Sequence, residues 1–199
     1  SHADKDLPAE EDQMRLDDLA RVGVRVRLCA GGEPLVRKYL PELAAYAVEK
    51  GMRAIISTNG TLITPQTART LKDIGLSYVG ISLDGMEEIN DRFRGVKGAF
   101  KSALEGIENC KKAGIKVGLR FTINKSNAGQ IPEIFKLLEE MDIPRVCFYH
   151  LVYAGRGSEL VKEDLSHEES RKAVDLILAL TKQLHDKGDL KEVLTVDNH

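Results

Sequence analysis

Apolar positions along this chain recur in two periods that take turns. Met14, Leu16, Leu19, Ala20 and Val22 return at roughly helical spacing within AEEDQMRLDDLARV, which predicts a helix that stops before Gly23. VRVRLCA predicts a strand over 24–29, followed by the turn AGGEP. A helix over 35–50 then stops at Gly51, and RAIIS runs as a short strand into TNG. The cycle repeats: Thr64-Pro65 opens a helix, SYVGISL is a strand, GAFKSALEGIENCKKAG is a helix ended by Gly114, and IKVGLRFTI is a strand. IPEIFKLLEEM, PRVCFYHLV and a last helix to Lys187, opened by the capping-box pair Ser166 and Glu169, complete the series.

One helix followed by five strand-helix units implies a parallel, helix-covered sheet joined by right-handed crossovers, an α/β fold read as one domain over 1–199. The strands are rich in Val, Ile and Leu, as strands buried on both faces should be. The first is the exception, because Arg25 and Arg27 alternate with Val24, Val26 and Leu28. That alternation predicts one wet face, either the lumen of an open barrel or a sheet edge.

Charge narrows the range of partners. Twenty-nine Lys and Arg against 31 Asp and Glu give a formal net charge of -2, which offers no footprint for a general phosphate-tracking nucleic-acid binder. No apolar run has the length of a membrane span, and SHADKDLPAEED has no basic, apolar leader pattern, so the expected location is the cytoplasm. Cys29, Cys110 and Cys147 stand far apart, as buried thiols do, and make no metal-ligand spacing.

The unusual residues gather after the strands. AGGEP, STNG, SLDG, the pair Arg120 and Asn124, and YAGRG each follow or close a strand, and parallel strands bring those ends to one rim. Each has a plain reading as turn chemistry. The alternative for Gly31, Gly32 and Glu33 is backbone open to a ligand beside a carboxylate for an ammonium. Arg120 resists the plain reading, since a guanidinium inside an apolar strand calls for a carboxylate or phosphate. Arg92, Arg94 and Arg156 add cations to loops on that rim, and Lys125 and Asn127 read as loop residues.

In this order, GGEP, STNG and SLDG after successive strands resemble the core of the radical S-adenosylmethionine enzymes, partial (β/α)6 TIM-like barrels that hold a four-iron four-sulfur cluster. INDRFRGVKGAF is similar to members with extra C-terminal clusters. YHLVYAGRGSEL, DLSHEES and KEVLTVDNH resemble the radical enzymes of heme d1 synthesis and of the siroheme-based heme pathway. The resemblance implies that Gly31, Gly32 and Glu33 receive the methionine amino group. It places Ser82 at the ribose with Asp84 beside it, Thr58 and Asn59 at cofactor or substrate, Arg120 at a carboxylate or substrate anion, and Val152 at the adenosine. It further implies a 5′-deoxyadenosyl radical, formed with a reducing electron donor, that abstracts hydrogen from an anionic tetrapyrrole and leads to loss of an acetate or propionate fragment. The substrate's carboxylates give Arg92, Arg94 and Arg156 a task. No catalytic side chain is assigned.

One departure stands out. The family's CxxxCxxC follows its first barrel strand, whereas this chain reads from the helix after it. Five strands are counted where six are expected, so the first strand is expected to be missing. The chain is then a core fragment without cluster ligands, inactive by itself, and VRVRLC an edge open to self-association. Three other readings compete. A peptide maturase with C-terminal clusters differs in substrate. A phosphate-binding barrel lyase would need a strand-end lysine or acid pair, and none stands out. A clusterless domain would instead bind an adenosine ligand or serve as a scaffold.

Overall fold

Leu16 is the contact that brings the first helix onto the body of the protein, where it is buried with Leu43, Ala47 and Met52. The computed structural model describes residues 9–30, 32–150 and 164–196. Helix α1 (Ala9–Arg21) leads to strand β1 (Val26–Cys29), a 3-10 turn (Pro34–Val36) and α2 (Leu40–Glu49). Then come β2 (Arg53–Thr58), α3 (Pro65–Asp73), β3 (Tyr78–Leu83), α4 (Glu87–Arg94), α5 (Ala99–Lys112) and β4 (Lys116–Ile123). The order closes with α6 (Ile131–Glu140), β5 (Arg145–His150), α7 (His167–Asp186) and β6 (Glu192–Val196).

The strands form one sheet in chain order, β1 to β6, and every pairing is parallel. The count of five strands is thereby corrected to six among the described residues, the added one being β6. Its pattern of Val193 and Thr195 against Leu194 and Val196 is strand-like, but it follows a long helix directly and is only five residues long. Helix α4 also went unforecast, because EEINDRFR carries too few apolar residues to show a helical stripe.

Alternate strand residues divide between two faces. Ala54, Ile56, Val79, Ile81, Leu83, Val117, Leu119, Phe121, Ile123, Val146 and Phe148 are buried in one cluster with apolar residues of the helices. Phe148 stacks on Phe135 of α6 and meets Phe121 edge-on, so aromatic packing fixes α6 against β4 and β5. The other parity, including Ser57, Gly80, Ser82 and Arg120, makes the open face.

At β1 the edge alternative holds, but the arginine side is not the open face. Arg27 pairs in register with buried Ala54, on the helix side, while Val26 and Leu28 are exposed on the open face. The physical reason is position: among the described residues β1 pairs only with β2, so it is an edge, and both its faces are partly wet. Cys110 and Cys147 are buried, as expected of these thiols, and Cys29 is half-buried. Burial pushes the Cys110 thiol up to about 12. Among the described residues no helix is long and apolar enough to cross a membrane.

Lys191, just before β6, is a buried cation whose Nζ lies 3.1 Å from Asp142 and 3.3 Å from Asp189. Its side chain is 4% exposed, whereas that of Asp142 is 88% exposed, so removing the lysine charge leaves a well-solvated carboxylate. Lys191→Met should therefore change stability by less than about 1 kcal/mol, while Lys191→Ala, which also loses the packed stem, should cost about 2 kcal/mol. Urea midpoints of the two variants check this, and equal losses would contradict it.

Candidate functional site

Because all strands run the same way, Cys29, Thr58, Leu83, Ile123 and His150 end them on one rim. The sequence after β1 turns sharply, with Gly32 in the left-handed region at φ 57. The turn delivers Glu33, whose carboxylate caps the 3-10 turn by accepting from the Leu35 N–H at 3.1 Å. The same carboxylate reaches β2, accepting from Thr58 Oγ1 at 2.6 Å and from the Asn59 N–H at 2.8 Å. Thr58 is buried and its hydroxyl accepts from the Gly60 N–H, while Asn59 Oδ1 accepts from the Thr61 N–H and hydroxyl. Glu33, Thr58 and Asn59 are thus one hydrogen-bonded unit, and much of the polar capacity forecast for a ligand ties two rim loops together.

Ser82 and Arg120 are register partners on β3 and β4, so both belong to the open face near its rim. The Arg120 guanidinium lies over the Tyr149 ring, 4.5 Å from its centroid. Burial and the adjacent Cys147 thiol push the Tyr149 hydroxyl up to about 12. Among the described residues no ion pair involves Arg120. The site therefore holds a fixed positive charge beside a hydroxyl and an aromatic face, which suits a carboxylate.

Asp84 and Arg94, forecast as separate ligands, form an ion pair at 2.6 Å, and Arg94 also approaches the Ser82 carbonyl at 3.5 Å. Arg94 here restrains the loop after β3. Arg92, in the last turn of α4, is exposed. Gly31, Val152 and Arg156 lie outside the described residues.

The residue that sequence reasoning underrated is Asn127. It is 0% exposed, donates to the carbonyls of Asp84 at 3.0 Å and Thr122 at 2.9 Å, and accepts from the Asn124 N–H at 2.8 Å. Gln130 adds a bond from the Met86 N–H at 2.8 Å, and Asn90 accepts from the Asp84 N–H at 3.0 Å. Together these amides hold the loops after β3 and β4 side by side. The only trace in the sequence was two asparagines three apart behind a strand, which ordinary turns also show.

A parallel α/β sheet whose polar strand ends share one rim is a frame for binding a cofactor at that rim. The Radical SAM superfamily model matches residues 2–138, and the chain belongs to that superfamily. It is 66% identical over 196 residues to the Fe-coproporphyrin III synthase of Methanosarcina barkeri (strain Fusaro / DSM 804), covering 98% of this chain and 49% of that protein. It is 41% identical over 201 residues to the pre-heme d1 synthase of Dinoroseobacter shibae (strain DSM 16493 / NCIMB 14021 / DFL 12), covering 98% and 50%. The chain thus spans about half the length of these curated relatives. Among solved structures, Streptococcus suis SuiB bound to S-adenosylmethionine has a TM-score of 0.79 at 18% identity, over 97% of this chain and 44% of that one, a likeness of fold.

The family implies two cofactors, S-adenosylmethionine and a four-iron four-sulfur cluster. The first fits this rim, where a cation with no carboxylate among the described residues stands beside Ser82, and the Gly32 turn follows β1 on the same rim. The second does not fit the residues at hand. The three cysteines lie on β1, α5 and β5, and among the described residues no group of His, Cys, Asp and Glu could hold a metal ion.

Proposed function

We propose that these 199 residues are the barrel core of a longer radical S-adenosylmethionine enzyme of heme biosynthesis, acting on the carboxylate-bearing side chains of a siroheme-derived tetrapyrrole. The observation that carries the reading is the 66% identity to a synthase of Fe-coproporphyrin III, sustained over 98% of the chain. What the bound cofactor supplies is hydrogen abstraction from the substrate by its 5′-deoxyadenosyl group. The rest falls to this chain's residues. Gly32 and the turn around it present backbone to the methionine end, and Glu33 holds that turn to Thr58 and Asn59. Arg120 receives a carboxylate, and Ser82 lies beside it for a sugar hydroxyl. Arg92 and Arg156 are candidate contacts for a substrate anion. The cluster ligands come, in this reading, from outside these residues.

The test is an anaerobic assay of the protein that contains this stretch, with S-adenosylmethionine, a chemical reductant and siroheme derivatives. Formation of 5′-deoxyadenosine together with mass loss from tetrapyrrole acetate or propionate groups is expected. Absence of 5′-deoxyadenosine from a cluster-replete preparation would refute the enzyme class. 5′-Deoxyadenosine formation with a modified peptide and an unchanged tetrapyrrole would refute the substrate class.

A further inference from the structure

Two arginines of the open face sit in matching frames. Arg145, on β5, places its guanidinium 5.2 Å from the centroid of the Tyr78 ring on β3. The Tyr78 side chain reaches over Gly118 of the intervening strand, where a β-carbon would clash with the Tyr78 hydroxyl and lie 3.0 Å from the Arg145 carbonyl oxygen and 3.1 Å from its Cβ. Arg120, on β4, lies 4.5 Å from the Tyr149 centroid on β5. Its stem runs back over Gly80 on β3, where a β-carbon would come within 2.8 Å of Arg120 Cδ and 3.2 Å of Cγ. Gly80 and Gly118 are themselves register partners, so the two frames interlock.

The frames differ in what meets the charge. Arg145 Nε and an Nη of the same guanidinium contact one oxygen of Glu192 at 2.7 and 2.5 Å, joining β5 to β6. For Arg120, the described residues supply the glycine and the ring but no carboxylate. A ring face attracts a guanidinium without neutralising it and leaves the N–H groups at its edge free to donate. The lower frame therefore shows, within the same sheet, what the upper one is built to receive.

We infer that Gly80 and Tyr149 are positioning residues that lay Arg120 along the open face so that its guanidinium receives a ligand carboxylate, as Arg145 receives that of Glu192. This deepens the proposed function and rests on it for the source of the carboxylate, either the methionine end of the cofactor or an acetate or propionate of the tetrapyrrole. A methyl group at position 80 lifts the stem and takes the guanidinium off the ring. Loss of the ring at position 149 frees the guanidinium to swing.

The experiment is equilibrium binding of three probes to the cluster-replete protein that contains this chain: S-adenosylmethionine, its decarboxylated analogue, and iron coproporphyrin III. Gly80→Ala and Tyr149→Leu should each weaken the carboxylate probe roughly tenfold or more, the scale of one charged hydrogen bond. Tyr149→Phe, which keeps the ring and loses only the hydroxyl, should retain most of the affinity that Tyr149→Leu loses. In an Arg120→Ala background Gly80→Ala should have no further effect, because nothing is left to displace. Weakening of S-adenosylmethionine with its decarboxylated analogue unchanged assigns the cofactor's carboxylate, and weakening of the porphyrin alone assigns the substrate's. Binding of every probe that ignores Arg120→Ala, or an equal Gly80→Ala effect in both backgrounds, overturns the inference. If the unaltered chain binds no probe, the functional reading fails, and urea unfolding of the same cycle decides the positioning: an equal stability cost of Gly80→Ala with and without Arg120 overturns it.

Discussion

Asn127→Leu should cost about 4 kcal/mol of stability and lower the melting temperature by roughly 10 °C, the largest loss expected from a single polar side chain among the described residues. Leucine has the branching of asparagine and is larger, so the cost is not a cavity. It is the stranding of the Asp84 and Thr122 carbonyls and the Asn124 N–H, all of which use this one amide. Each buried polar group left without a partner costs about 1–3 kcal/mol. Asn127→Asp offers no relief, since a carboxylate would face two carbonyls. Asn59→Ala, at the rim turn after β2, should cost only about 1 kcal/mol, because Asn59 is half-exposed and water can replace its bonds to Thr61. Thermal melts followed by circular dichroism check the contrast. Similar losses at positions 127 and 59 would show that the clasp between the loops after β3 and β4 contributes nothing special.

The second large effect is expected at Glu33. Its carboxylate accepts from Leu35, Thr58 and Asn59, and two of those bonds cross between the rim loops after β1 and β2. Glu33→Ala should cost about 2–3 kcal/mol, since bonds to a charged acceptor contribute more than neutral ones and this group is half-buried. Glu33→Gln should recover about half of that, because an amide keeps one acceptor and turns a donor towards the other. Amide exchange at Asn59 should quicken in both variants while β4 is unaffected. Unchanged exchange at Asn59 would mean that the two loops hold their places without the carboxylate.

Periodicity was sufficient wherever a segment buried one clear face. The α5 stretch, with Ala103, Ile107 and Cys110 in line, and strands β2 to β5 were legible from their residues because tertiary packing and local pattern agree there. The misses share a cause. Helix α4 and strand β6 are short, wet elements held by specific contacts: Asp91 accepting from the Gly98 and Phe100 N–H groups, and Arg145 pairing with Glu192. Such contacts have no period. At the rim, the sequence located Glu33, Thr58, Asn59, Ser82, Asp84 and Arg120, but it could not show that Asp84 pairs with Arg94 or that Glu33 bonds across to Thr58. Partner choice among polar side chains depends on register. Ser82 opposite Arg120, and Gly80 opposite Gly118, are pairings between strands more than thirty residues apart.

The strand order has a consequence for how the chain reaches this state. Each strand lies beside its predecessor in sequence, so no pairing waits for a distant segment to be made. Loop-closure costs stay small at every step, and the sheet can lengthen one strand-helix unit at a time as the chain leaves the ribosome. Among the described residues the ribbon has two ends and a middle. Its breathing should begin at β1 and β6, while β3 and β4, flanked on both sides and bridged by Asn127, open last.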